Sequence, residues 1–125
     1  MAKVVGVGGV FFKASDSQAL SAWYRDVLGI EIGEYGAVFK ADAIPAKGYT
    51  AFSVFKDEST YFDVPDKIQQ QRFMINFMVD DLDAMLAQVK QHGGQLVGEP
   101  EAYDYGKFGW VVDPEGNKIE LWQPT

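Results

Sequence analysis

Chemistry in this chain has few places to reside. Cysteine is absent, which removes thiolate ligands, cysteine nucleophiles and disulfides together. The single histidine, His92, falls near the end of a helical stretch, where a surface imidazole answers the helix C-terminal dipole. No Gly-x-Ser-x-Gly element appears, and one histidine leaves a serine triad without its geometry. Gly6-Val7-Gly8-Gly9 is glycine-rich, but no helix begins where a phosphate loop needs one. What remains is Glu120, in the apolar run Lys118-Ile119-Glu120-Leu121-Trp122, the one candidate general acid or base. Beside it stands an aromatic stock of nine Phe, six Tyr and three Trp. Part of this stock is concentrated in Tyr103-Asp104-Tyr105-Gly106-Lys107-Phe108-Gly109-Trp110. Those rings, with Tyr61 and Phe62, either tie loops to the domain, form an interface, or close over a cavity.

The elements that position these residues follow from periodicity. Leu20, Trp23, Tyr24, Val27 and Leu28 make one helical stripe, and Leu82, Met85, Leu86 and Val89 make another. Ser15 or Asp16 caps the first helix and Gly29 ends it; Asp80 or Asp81 caps the second, which stops at Gly93-Gly94. Strands are predicted near 4–13, 30–35, 37–41 and 49–56, then near 73–79, 95–98, 108–113 and 117–123. Asp113-Pro114-Glu115-Gly116-Asn117 is the turn between the last two. A shift of 65 positions lays Asp16 on Asp81, Ala19 on Ala84, Ala22 on Ala87 and Gly29 on Gly94, so the halves repeat. The modules span about 1–56 and 73–125, and the polar segment 57–72 links them. Neither half alone buries both its helix and its sheet face, so 1–125 form a single α+β domain.

Length and composition agree. The 125 residues are 47% hydrophobic and 23% charged, as in globular domains. The net charge of −7 excludes a phosphate-backbone partner, so no nucleic acid is expected. No apolar run is long enough for a membrane helix, and MAKVVGVGG lacks a signal-peptide core. A soluble, cytoplasmic protein is expected.

Trp23-Tyr24-Arg25-Asp26-Val27-Leu28-Gly29, Val79-Asp80-Asp81-Leu82-Asp83 and Asp113-Pro114-Glu115-Gly116-Asn117-Lys118-Ile119-Glu120-Leu121, in this order and spacing, carry a resemblance. The chain resembles the vicinal oxygen chelate superfamily, which includes glyoxalase I, extradiol dioxygenases and bleomycin- and fosfomycin-resistance proteins. The resemblance implies two βαβββ modules forming a cupped, incompletely closed mixed sheet, and a homodimer. It also implies where metal ligands would stand: the first strand of each module and the last strand. Here those positions carry Gly9, Met74 and Glu120, so Glu120 alone keeps a ligand-type residue. One carboxylate does not chelate a divalent ion, and a thioether suits only soft metals. No metal and no cofactor are expected.

Strand alternation then sets the cavity walls. If Gly9, Met74 and Glu120 face inward, so do Phe11, Asn76, Met78 and Trp122. Phe11, Met74, Asn76, Glu120 and Trp122, with Tyr105 from the aromatic loop, are the expected ligand-binding residues. A metal-independent binder of a small aromatic or cationic molecule is the first functional expectation. The second is a metal-dependent lyase or dioxygenase drawing on Asn76, Glu120, Glu101 or Asp104. Whether any reaction is catalysed stays open at this level.

Overall fold

Among the described residues each of the two α-helices starts on an aspartate whose carboxylate accepts a backbone N–H of the first turn. In α1, Ser17–Asp26, the cap is Asp16, bonded to the Ala19 N–H at 3.0 Å. In α2, Leu82–Gln91, it is Asp81, bonded to the Ala84 N–H at 3.1 Å. These choices resolve the two alternatives that the sequence offers at each start. Gly29 and Gly93 follow the helices in the left-handed conformation that ends them. The structure, a computed structural model, describes residues 1–65, 67 and 71–125, so part of the expected linker (66 and 68–70) lies outside the described residues.

Among the described residues five strands make one open, mixed sheet: β1 Ile75–Met78, β2 Gln95–Leu96, β3 Glu101–Tyr103, β4 Gly106–Val112 and β5 Lys118–Pro124. The order is β1-β5-β4-β2, with β3 also on β4. β1 runs parallel to β5 and the other pairings are antiparallel. Parallel pairing needs a crossover, and here the chain travels through α2 and the β4 hairpin before returning as β5. The two helices lie in one apolar core against one face of this sheet: Leu20, Tyr24, Val27 and Leu28 of the α1 region, Leu82, Leu86 and Val89 of α2, and Val111, Ile119 and Leu121 below. Gly109 permits that close approach, because a Cβ there would stand 3.1 Å from Leu86. The result is an α+β fold whose mixed sheet stays open, as expected. Among the described residues no helix is long and apolar enough to cross a membrane.

The strands expected near 73–79, 95–98, 108–113 and 117–123 form within a few residues of those bounds, and β3 is an additional short strand. The four expected in the first half do not. Segments 4–13, 30–35, 37–41 and 49–56 hold no strand, apart from an isolated bridge between Gly33 and Gly36. Alternating side chains make a segment suited to a sheet, but a strand exists only where a neighbour accepts its hydrogen bonds. Here no sheet neighbour is paired with them. Their side chains are left outside: among the described residues, the exposed large apolar groups all lie in residues 1–61 except Phe73, Tyr103 and Tyr105.

What binds the first half to the second is a buried carboxylate. Asp113, 4% exposed, accepts the Tyr24 hydroxyl at 2.8 Å and the Asn117 side-chain amide at 2.8 Å. Its other oxygen accepts the N–H groups of Glu115 and Asn117. The next carboxylate in the same turn, Glu115, accepts the N–H groups of Ser15 and Asp16 at the start of α1. Burial, followed by the charge of Asp113, pushes the Tyr24 phenol far above its ordinary value. The unfolded chain therefore loses this proton first, and the stability due to it is present below about pH 10 and lost as pH rises further. We expect Tyr24→Phe to lower the thermal midpoint at pH 8, and the gap from the parent to narrow above pH 10. Calorimetry across that range checks it, and a constant gap would contradict it.

Candidate functional site

The opposite face of the sheet is built from the alternate residues of the same strands. Register places Asn76 beside Glu120, Met78 beside Trp122, Trp110 beside Glu120 and Phe108 beside Trp122. Since Ile119, Leu121 and Val111 point into the helical core, these neighbours point the other way. Aromatic rings cover this face. Phe108 stacks parallel to Trp122 with centroids 6.0 Å apart, and Tyr49 meets Trp122 edge-on at 4.8 Å. The β3–β4 hairpin stands beside them, with Tyr103 and Tyr105 stacked at 5.5 Å and both edge-on to Phe108. Gly106 makes that hairpin possible: its φ is +145°, and a Cβ would collide with the Trp122 indole nitrogen. The same indole donates to the Tyr105 carbonyl at 3.1 Å, which fixes the tip of the hairpin over the sheet.

Glu120 lies at the bottom of this face, 8% exposed. One carboxylate oxygen accepts the Asn76 amide at 2.7 Å. The other accepts the Trp110 indole N–H at 2.9 Å and the Tyr61 hydroxyl. Asn76 comes from β1 and Trp110 from β4, the two strands flanking β5, whereas Tyr61 reaches in from the segment joining the halves. Lys118, two residues before Glu120 on the same face, donates its ammonium to the Tyr61 carbonyl at 2.7 Å. That ammonium lies 5.4 Å from the Tyr61 ring centroid and 5.9 Å from that of Trp110. Burial lowers the affinity of Lys118 for its proton and the nearby carboxylates Glu120 and Asp63 partly restore it. Burial, then the bond to Glu120, raises the Tyr61 phenol well above its ordinary value.

A cleft of about 330 Å³ opens on this face, walled by Tyr61, Tyr103, Tyr105, Phe108 and Trp110, with Glu101 at its polar side. Its size stands at the lower end of the range of small-molecule sites, and its lining is part aromatic ring and part polar group. Of the residues expected from the sequence, Tyr105 lines the cleft, while Asn76, Glu120 and Trp122 lie on the sheet face that carries it. Met74 is half-buried just before β1. Phe11 is elsewhere, 94% exposed, with its ring folded against Gly9. Two functional neighbours were not singled out from the sequence as partners of Glu120. Lys118 was legible from the same alternation that pairs Glu120 with Trp122; the reach of Tyr61 across 59 positions had no local signal.

The described residues around Glu120 do not fit a divalent metal. Both oxygens of Glu120 already accept hydrogen bonds, and every partner is a donor rather than a second ligand. Among the described residues no three His, Cys, Asp or Glu side chains converge. Glu101 is instead bonded to the Tyr103 hydroxyl.

Comparison with known proteins agrees with this fold. The sequence model of the glyoxalase-like domain matches residues 9–122. An integron cassette protein from the mobile metagenome of V. cholerae is similar in structure, with a TM-score of 0.63, 14% identity, and coverage of 100% of this chain and 99% of that one. TnmS3, an antibiotic binding protein from Streptomyces, gives 0.54 at 21% identity, covering 89% and 88%. A member of the glyoxalase/bleomycin resistance protein/dioxygenase superfamily from Sphaerobacter thermophilus gives 0.55 at 16% identity, covering 96% and 98%. No curated protein sequence matches.

The three bonds to Glu120 make a direct prediction for stability. Glu120→Leu keeps the site filled but leaves the buried Trp110 indole N–H without its acceptor. We expect a loss of about 1–3 kcal/mol in urea unfolding. A variant as stable as the parent would show that these bonds hold nothing in place.

Proposed function

We propose that this chain, which belongs to the glyoxalase-like domain family, binds small aromatic molecules in the aromatic cleft and does so without a metal. One observation carries the reading: five aromatic side chains from the linker, β4 and the β3–β4 hairpin converge on a single cleft of ligand size. Rings entering it gain offset or edge-on stacking, worth about 0.5–1.5 kcal/mol per pair beyond the area they bury. The fully bonded state of Glu120 supports a binding role for the carboxylate over a metal-ligating one. The similarity in fold to an antibiotic binding protein is consistent with a ligand of this kind.

The test is a calorimetric titration with planar aromatics such as acridine, quinoline and naphthol, with and without chelator. At least one should bind, chelator should change nothing, and Tyr105→Ala should weaken it about fivefold to tenfold. Silence across the set, or binding abolished by chelator, would overturn the reading.

We propose also that the working unit is a homodimer. The exposed apolar side chains of residues 1–61 include Val4, Val5, Phe11, Val38, Phe52 and Val54, far more than isolated surface residues account for. β1 additionally ends the sheet with an unpaired edge among the described residues. A second copy offers the same apolar segments and the same edge, and a two-fold arrangement satisfies both at once. Light scattering should give twice the 13.9 kDa chain mass, and a stable monomer would contradict it.

A further inference from the structure

Tyr61 differs from the other groups that hold Glu120. Asn76 and Trp110 are fixed by strand pairing on either side of β5. Tyr61 sits in an irregular turn outside the sheet and is 40% exposed. Its phenol nevertheless makes the set of interactions that a bound molecule would make there. The hydroxyl donates to the buried carboxylate, the ring meets Trp110 edge-on at 6.2 Å, and the Lys118 ammonium approaches the ring. The ring also forms one wall of the cleft, so leaving its place would join the position above Glu120 to the space beside it.

We propose that Tyr61 is a built-in stand-in for the ligand, and that the cleft takes a planar hydroxyaromatic molecule whose hydroxyl replaces that of Tyr61 on Glu120. The proposal rests on the reading of the cleft as a binding site and narrows its ligand class. Charge selects within that class. Lys118 and Glu120 lie two residues apart on one face, so an added cation meets the ammonium and an added anion meets the carboxylate. A neutral ring that offers one O–H meets neither penalty. It also keeps the carboxylate supplied with the third donor that its burial requires. An ether of the same shape displaces Tyr61 and returns nothing to Glu120.

The probes are para-nitrophenol and its methyl ether, para-nitroanisole, which differ in that one hydrogen. Each is titrated calorimetrically into the parent, Tyr61→Phe and Glu120→Gln proteins. The phenol should bind the parent about tenfold more tightly than the ether. Tyr61→Phe, which keeps the ring and removes the competing hydroxyl, should tighten the phenol and the ether alike, severalfold, because neither then breaks the bond to Glu120. Unchanged binding of both would show that Tyr61 is not displaced. Bound beside a carboxylate, the phenol should also hold its proton, so its yellow phenolate band should fall on binding at constant pH. Glu120→Gln should remove both the preference and the loss of colour. Equal binding of phenol and ether by the parent would overturn the inference while the binding site stood. Failure of both probes and of the wider aromatic set would overturn the site itself. If Tyr61→Phe does not fold, the phenol-to-ether ratio and colour change of the parent decide the matter alone.

Discussion

A carboxylate can be buried only where donors replace the water it gives up, and Glu120 shows how much structure that requirement organises. Its oxygens need β1 on one side of β5 to present Asn76 and β4 on the other to present Trp110. A one-residue slip of either strand would turn its donor toward the helices and leave the charge bare. The third donor, Tyr61, brings the segment between the halves down onto the sheet, and Lys118 holds that segment by its carbonyl. Gln71 adds a further tie, pairing its side-chain amide with the backbone of Lys118 at 2.9 and 2.8 Å. The aromatic cleft is what stands above this arrangement.

Asp113 performs the matching task on the other face. It closes the β4–β5 turn and accepts the Tyr24 hydroxyl, so the helix of the first half is fixed to the sheet of the second. The two carboxylates thus divide the molecule: one secures the helical core, the other the face that carries the cleft. Between them β5 runs with Ile119 and Leu121 toward the helices and Glu120 and Trp122 toward the cleft. The alternation of a single strand thus serves the helical core on one face and the aromatic cleft on the other.

Much of this was legible in the sequence where the determining interaction is local. Asp16 and Asp81 cap helices three residues from the N–H groups they accept, and the apolar stripes of Leu20–Leu28 and Leu82–Val89 lie on the core as their spacing requires. The shared face of Asn76, Met78, Glu120 and Trp122 also follows from period two once β1 and β5 are paired. The failures have a common cause. Whether 4–13 or 49–56 becomes a strand depends on an edge to pair with, and whether Tyr61 finds Glu120 depends on how the halves close. Neither is a property of the segment itself. The expectation for Phe11 fell with its strand, since a residue has an inward side only inside a sheet.

The three tryptophans give the most direct measurement, because they report separately. Trp110 and Trp122 lie on the cleft face, while Trp23 packs from α1 beside Tyr24. Indole N–H signals recorded by nitrogen–proton NMR during titration with para-nitrophenol would locate the ligand without any substitution. The account predicts a saturable shift of the Trp110 signal, whose N–H shares its acceptor oxygen with the displaced phenol, and a stationary Trp23. A Trp110 signal that stays in place while the probe binds would contradict it.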